Sequence, residues 1–178
     1  MKLLFGSLLL LSLMFVTRID FGSEDGQTDW RVVNDGVMGG LSTGEVKYSE
    51  TSMTFSGDVS LENNGGFASI RSAYAKRDLS VFKKIKIKYR SEGYDFGLSL
   101  SRDRRFWIPN YKQNLPQTDG QWKTIEFDLM EFKEYYVGRP TGAKIDGDLL
   151  AQIIQIGLIT NEKRAGAFKI EVDYLEFI

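Results

Sequence analysis

The chain has 178 residues, of which 42% are apolar and 13% aromatic, and its formal net charge is −1. This length predicts one domain, and the near-neutral charge gives no general attraction to nucleic acids or acidic membranes. The sequence contains neither cysteine nor histidine, which excludes disulfides, thiolate or imidazole metal sites, and Ser-His-Asp or Cys-His catalysis. We therefore expect no enzymatic activity, no cofactor and no bound metal.

The N-terminal segment has one lysine, at position 2, and an apolar run from Leu3 to Val16. Such a run is too short to span a bilayer comfortably and fits the core of a secretory signal. We predict a targeting segment over residues 1–17, a globular domain over residues 18–178, and export to the periplasm or cell envelope. No membrane span would then remain after processing. In the alternative, the run forms the first strand or helix of the fold and the protein is cytoplasmic.

The rest of the chain alternates apolar and polar residues with a period of two, as half-buried β-strands do. The candidate strands cover residues 30–33, 45–50, 52–57, 67–74, 84–90, 95–101, 124–129, 153–160 and 167–174. A single helical turn is predicted near residues 146–152. Strands with one apolar face each must stack as two sheets to bury those faces. The pattern predicts an all-β fold, a jelly-roll β-sandwich of two antiparallel sheets.

The strand at residues 84–90 has lysine or arginine at every second position, a pattern that could contact nucleic acid. Glu171 and Asp173 lie on the polar face of the last strand and would pair with these cations if the two strands were neighbours. No stacking aromatic residues interleave with the lysines, as a single-strand binder would need. We therefore predict a neutralised, solvated strand face and no nucleic-acid partner.

Two glycine-rich stretches, NDGVMGG at 34–40 and NNGGF at 63–67, stand at the edges of predicted strands. Asn and Asp side chains cap backbone amides in tight turns, so the first interpretation is architectural, with Val37 and Met38 pointing into the core. In the alternative, the two loops meet at one rim and bind sugar hydroxyls or a calcium ion. The candidate ligand residues are then Asn34, Asp35, Asn63 and Asn64.

A second candidate surface is aromatic. Trp107 and Tyr111 lie in the segment RRFWIPNYKQN, and an exposed pair of this kind can pack on a sugar ring or anchor a protein partner. The alternative is a packed hairpin. The other two tryptophans, Trp30 and Trp122, begin strands and are expected in the core.

The segments 30–44 and 55–71, which contain both glycine-rich stretches, resemble the Complex I intermediate-associated protein 30 (CIA30) family. The resemblance continues to the end of the chain. It implies a galactose-binding-like jelly roll, similar to carbohydrate-binding modules of family 11. Arg71 and Arg139 match positions where this family tends to carry arginine, and they are further candidate ligand residues. In the alternative, each arginine pairs with a buried loop carboxylate such as Asp35.

The resemblance also implies a function. In mitochondria the family acts in the assembly of respiratory NADH:ubiquinone oxidoreductase, so we expect a non-enzymatic binding or assembly-factor domain that recognises a protein partner. The alternative, from a different class, is a domain like a carbohydrate-binding module that takes a glycan in the bacterial envelope.

Overall fold

The structure, a computed structural model, describes residues 17–27 and 29–178, apart from the side chains of Val37 and Met38. The predicted targeting segment, residues 1–17, therefore lies outside the described residues except for Thr17. The expected inward orientation of Val37 and Met38 also lies outside them. Within the described ranges, no helix is long and apolar enough to cross a membrane.

Strands make up most of the regular structure. They are β1 (Thr17–Asp20), β2 (Arg31–Val32), β3 (Thr43–Tyr48), β4 (Met53–Val59), β5 (Ser69–Arg71), β6 (Lys84–Glu92), β7 (Phe96–Ser101), β8 (Asn110–Leu115), β9 (Lys123–Asp128), β10 (Lys133–Tyr136), β11 (Arg139–Lys144), β12 (Gln155–Thr160) and β13 (Gly166–Phe177). In the described part of the chain two short α-helices accompany them, α1 (Glu24–Gln27) and α2 (Gly147–Leu150), together with three 3₁₀ turns. Helix α2 confirms the predicted helical turn.

The strands form two antiparallel sheets, as predicted. One has the order β3-β4-β13-β6-β9, with β1 also paired to β13, and the other has the order β11-β10-β8-β7-β12-β5-β2. The long strand β13 organises the six-stranded sheet, because on one edge its first half pairs with β4 and its second half with β1. Its other edge pairs with β6. The prediction of an all-β sandwich is confirmed.

The hydrophobic core lies between the sheets and follows the period-two alternation. In β6 the inward residues are Ile85, Ile87 and Tyr89, and in β12 they are Ile156 and Leu158, all fully buried. Burying one large apolar side chain stabilises the fold by about 1.5–3 kcal/mol. The alternation of apolar and polar residues is therefore the main determinant of strand register. The outward faces of both sheets carry mainly polar residues and glycine, with Ile159 of β12 as an apolar exception.

The outer face of the six-stranded sheet carries cross-strand ion pairs between β6 and its neighbours. Their nitrogen–oxygen distances are 2.5 Å for Lys84–Glu126, 3.3 Å for Lys86–Glu176, 2.7 Å for Lys88–Asp173 and 2.6 Å for Arg90–Glu171. The predicted pairing of the basic strand with the last strand is confirmed. Trp122 lies on this face, 40% exposed, with the Arg90 guanidinium 4.9 Å from its ring centroid. The prediction that Trp122 lies in the core was wrong. Trp30, in contrast, packs against the core as predicted.

Candidate functional site

The two glycine-rich loops are joined by the carboxylate of Asp35, which is 2% exposed. Its Oδ1 accepts a hydrogen bond from the Ser42 N–H at 3.0 Å. Its Oδ2 accepts three more, from the Ser42 hydroxyl at 2.5 Å and from the N–H groups of Gly66 at 2.7 Å and Phe67 at 3.2 Å. Burial alone would raise the pKa of Asp35, but these hydrogen bonds outweigh it and hold the pKa below its ordinary value.

Two glycines, one from each loop, leave room for this carboxylate. A Cβ atom on Gly40 would overlap the Asp35 carboxyl group, and one on Gly65 would lie 2.8 Å from its Oδ2 and 2.7 Å from the Ser60 carbonyl oxygen. Such distances are shorter than any Cβ contact tolerates. The glycine pattern therefore accommodates an internal acceptor whose hydrogen-bonding capacity is used by the protein itself.

The three candidate asparagines lie near the hydrogen-bonded carboxylate of Asp35, in different environments. Asn34 is half-buried, and its Nδ2 donates to the Ser42 carbonyl at 3.3 Å. Asn63 and Asn64 are exposed in a 3₁₀ turn, Glu62–Asn64, both with left-handed backbone (φ 52° and 61°). No group of three or more Asp or Glu side chains suited to hold a metal occurs in residues 17–27 and 29–178.

An open cleft of about 510 Å³ lies on the outer face of the seven-stranded sheet. Its floor is formed by Ser99 and Ser101 of β7 and by Gln155 and Ile159 of β12. Ser99 pairs with Gly157, which has no side chain to fill the space above it. The hydroxyls of Ser99 and Ser101 make no hydrogen bond to any other described residue, so they remain free to meet a ligand. The small side chains account for the depth of the cleft.

Two cations flank this floor. The register pairs Lys112 of β8 with Ser99 and Arg71 of β5 with Gly157, so one cation stands on each side. The Arg71 Nε donates to the Ser69 hydroxyl at 3.1 Å, and the Lys112 Nζ lies 3.9 Å from the ring centroid of Tyr135. Burial lowers the pKa of both cations. Arg71 therefore lines the cleft and is not the partner of Asp35.

The loop between β7 and β8 carries two adjacent aromatic residues, Phe106 and Trp107, which form an aromatic wall beside the cleft. Phe106 lines the cleft and is 69% exposed, and Trp107 beside it is 50% exposed. The two rings meet edge to face, with centroids 5.2 Å apart. The tip of the β10–β11 hairpin, Val137 and Gly138, also lines the cleft, and the exposed Arg139 follows it directly.

Tyr111 lies on the opposite side of its strand, in the interior. It is 1% exposed, and its hydroxyl donates to Glu134 Oε2 at 3.2 Å. Side chains alternate along a strand, so Lys112 faces the cleft and Tyr111 faces the core. The structure does not bring Trp107 and Tyr111 onto one exposed surface.

We expect Tyr111→Phe to lower the free energy of unfolding by about 1 kcal/mol, because it removes one hydrogen bond and leaves the packed ring in place. Equilibrium urea unfolding measures this difference. A variant as stable as the parent would show that the Glu134 contact makes no net contribution.

Sequence reasoning missed the floor of the cleft and its second cation. The signal was present in the strand FGLSLS, whose outward positions carry only glycine and serine. A solvated sheet face usually carries long polar side chains, as β6 does. Consecutive small residues on that face indicate that the strand forms the bottom of a depression.

A jelly-roll sandwich with an open cleft on the outer face of one sheet is the architecture of a binding domain. The family model described as Complex I intermediate-associated protein 30 (CIA30) matches residues 19–172. The chain belongs to this family.

Solved structures share the fold. The family 11 carbohydrate-binding module of the cellulosomal cellulase Lic26A-Cel5E of Clostridium thermocellum has a TM-score of 0.69 and 19% identity, over 94% of this chain and 96% of that chain. A family 11 module from the same organism in complex with a β-1,3-1,4-mixed-linked tetrasaccharide has a TM-score of 0.64 and 19% identity, over 92% and 95%. The agarase AgWH50C has a TM-score of 0.57 and 10% identity, over 91% of this chain but 24% of that one. None of the curated proteins matches the chain.

Proposed function

We propose that the chain is a non-catalytic glycan-binding domain whose ligand lies in the cleft of the seven-stranded sheet. The observation that carries the proposal is the combination of unpartnered hydroxyls on the floor, at Ser99 and Ser101, with exposed aromatic rings at the side. A sugar offers hydroxyls to such a floor and C–H faces to such rings. The fold shared with a module solved in complex with a tetrasaccharide supports the proposal.

We expect the ligand to be an oligosaccharide that lies across several strands of the cleft. The cleft is open to solvent and lies on a sheet face, so a chain can pass over it without presenting an end group. Polar groups of the four neighbouring strands β8, β7, β12 and β5 line the cleft in that order. We therefore expect affinity to rise with the number of sugar residues until the cleft is filled.

Isothermal titration with mixed-linked β-glucan oligosaccharides tests this function. We expect the double variant Phe106→Ala/Trp107→Ala to bind about 10-fold more weakly, because the aromatic wall is lost. The matched control is Trp122→Ala, which removes a 40% exposed tryptophan from the other sheet. Absence of binding by the unaltered protein to every neutral and acidic glycan tested would contradict the proposal.

A second candidate function is recognition of a protein partner in the assembly of respiratory complex I. Membership of the CIA30 family favours it, as does a group of exposed apolar side chains. They are Phe106, Trp107, Tyr136 and Val137. We expect tagged protein to co-purify with subunits of NADH:ubiquinone oxidoreductase, identified by mass spectrometry, and Phe106→Ser/Trp107→Ser to lose them. If no such subunit co-purifies with the tagged protein in any of several detergents, this function is contradicted.

We further propose that residues 1–17 direct export, which would place the domain among envelope polysaccharides. The intact mass of the mature protein tests this step. A mature N-terminus close to residue 18 is expected, and a chain that retains Met1 would contradict export.

A further inference from the structure

A row of paired residues crosses the seven-stranded sheet through the cleft and contains one residue from every strand. Ser99 and Gly157 stand at its centre. Directly paired residues of antiparallel strands point to the same face, and Ser99 lines the cleft, so the whole row faces outward. The other five members are all cations: Lys144, Lys133, Lys112, Arg71 and Arg31.

Most of these cations have no acidic partner. Lys144 pairs with Glu131 at 2.5 Å. Within residues 17–27 and 29–178, no carboxylate lies at ion-pair distance from the other four members of the row. In the cleft the one acidic lining residue, Asp103, is already held by Arg105 through hydrogen bonds of 2.9 and 2.6 Å.

Strand β6 of the six-stranded sheet carries its cations in a different arrangement. There, four cations of β6 each have a carboxylate on a neighbouring strand. The chain as a whole has a formal net charge of −1. Four cations of the row therefore have no carboxylate at ion-pair distance among the described residues, although the formal net charge of the chain is negative.

The two cations that flank the cleft floor are held in place and poorly solvated. Lys112 Nζ has a neutral hydrogen-bond partner, Asn161 Oδ1 at 3.3 Å, and Arg71 uses one N–H of its guanidinium on a hydroxyl. The remaining N–H groups of Arg71 make no hydrogen bond within the part of the chain that is described. Burial without an anion disfavours their charged forms, and a bound anion would reverse this.

We propose that the cleft selects an acidic polysaccharide, a polyuronate whose carboxylates meet Arg71 and Lys112 while its rings lie over Ser99 and Gly157. The inference rests on the proposed glycan-binding function and names the class of glycan. Arginine binds carboxylate with paired N–H groups. The Cα atoms of the two cations are three strand spacings apart, about 14 Å, so they meet charges on different sugar residues of one chain.

The experiment compares glycans that differ only in charge. Oligomers of galacturonate, glucuronate and mannuronate are titrated calorimetrically beside their carboxyl-reduced counterparts, which keep the linkages and lose the charge. We expect at least one acidic oligomer to bind about 10-fold more tightly than its reduced counterpart, with an affinity that falls as NaCl is raised. The salt series uses the unaltered protein, so it does not depend on the folding of any variant.

Two variants locate the effect. Arg71→Gln/Lys112→Gln should remove the preference for the acidic oligomer, and Lys88→Gln/Arg90→Gln, which removes two cations from the other sheet, should retain it. A neutral oligomer that binds as tightly as its acidic counterpart would overturn the inference and leave glycan binding standing. If no glycan, acidic or neutral, binds at all, the proposed function fails together with the inference.

Discussion

Replacing Asp35 with alanine is expected to lower the free energy of unfolding by about 4 kcal/mol, close to the whole stability of a marginal domain. Four donors lose their acceptor at once: the N–H and hydroxyl of Ser42 and the N–H groups of Gly66 and Phe67. These donors come from segments separated in the chain, and burial leaves little water to replace the carboxylate. The substitution therefore disconnects both glycine-rich loops.

Graded variants separate the charge from the shape. Asp35→Asn keeps one acceptor oxygen and the volume of the side chain, so a loss of about 2–3 kcal/mol is expected. Ser42→Ala removes the hydroxyl that donates to Asp35 and accepts from the Ser60 N–H at 3.0 Å, and about 1–2 kcal/mol is expected. Urea unfolding followed by fluorescence gives the three values. A loss below 1 kcal/mol in Asp35→Ala would show that the loops are held by other contacts.

The same carboxylate makes stability depend on pH in the acid range. The folded pKa of Asp35 lies below its ordinary value, so its contribution is complete above the unfolded pKa of about 3.9 and is lost as the pH falls through the folded value. The stability difference between the parent and Asp35→Asn should be constant above about pH 5 and shrink below it. A difference that stays constant down to acid unfolding would contradict this assignment.

The fold could be predicted from the sequence because burial of one face of each strand makes apolar and polar residues alternate along the chain. Strands whose inward positions are all large and apolar, such as β7 and β13, could be recognised directly. In β8, by contrast, the inward positions include Gln113 between Tyr111 and Leu115, so the apolar signal is broken. The β10–β11 hairpin is mostly exposed, and without burial there is no period to detect.

The candidate site was only partly predictable, since its residues come together through register. Arg71, Ser99, Lys112 and Gly157 are far apart in the chain and become neighbours only when four strands pair. No local pattern encodes that pairing. The glycine-rich loops were easier to predict. The hydrogen bonds to Asp35 join chain segments that contain recognisable turn residues. For Tyr111, knowledge that β8 begins at Asn110 would have placed its ring inside and Lys112 outside.

Blocking the cleft provides the most direct test of where a ligand lies. Ser99→Trp is expected to weaken glycan binding by about 100-fold or more, because the indole ring would occupy the middle of the floor between Lys112 and Gly157. The fold should tolerate it. The Ser99 hydroxyl has no partner among the described residues, and its side chain points into open space of about 510 Å³.

The matched control is Ser56→Trp. Ser56 lies in β4 on the outer face of the six-stranded sheet, between Glu45 and Lys169, so both variants add the same bulk to the exposed face of a paired strand. Calorimetric titration with the best-binding oligosaccharide and urea unfolding of both variants distinguish the outcomes. Loss of binding only in Ser99→Trp, at unchanged stability, places the ligand in the cleft. Full binding by Ser99→Trp would move the site elsewhere, and loss in Ser56→Trp alone would assign it to the six-stranded sheet, where cross-strand ion pairs would have to be broken to admit a sugar.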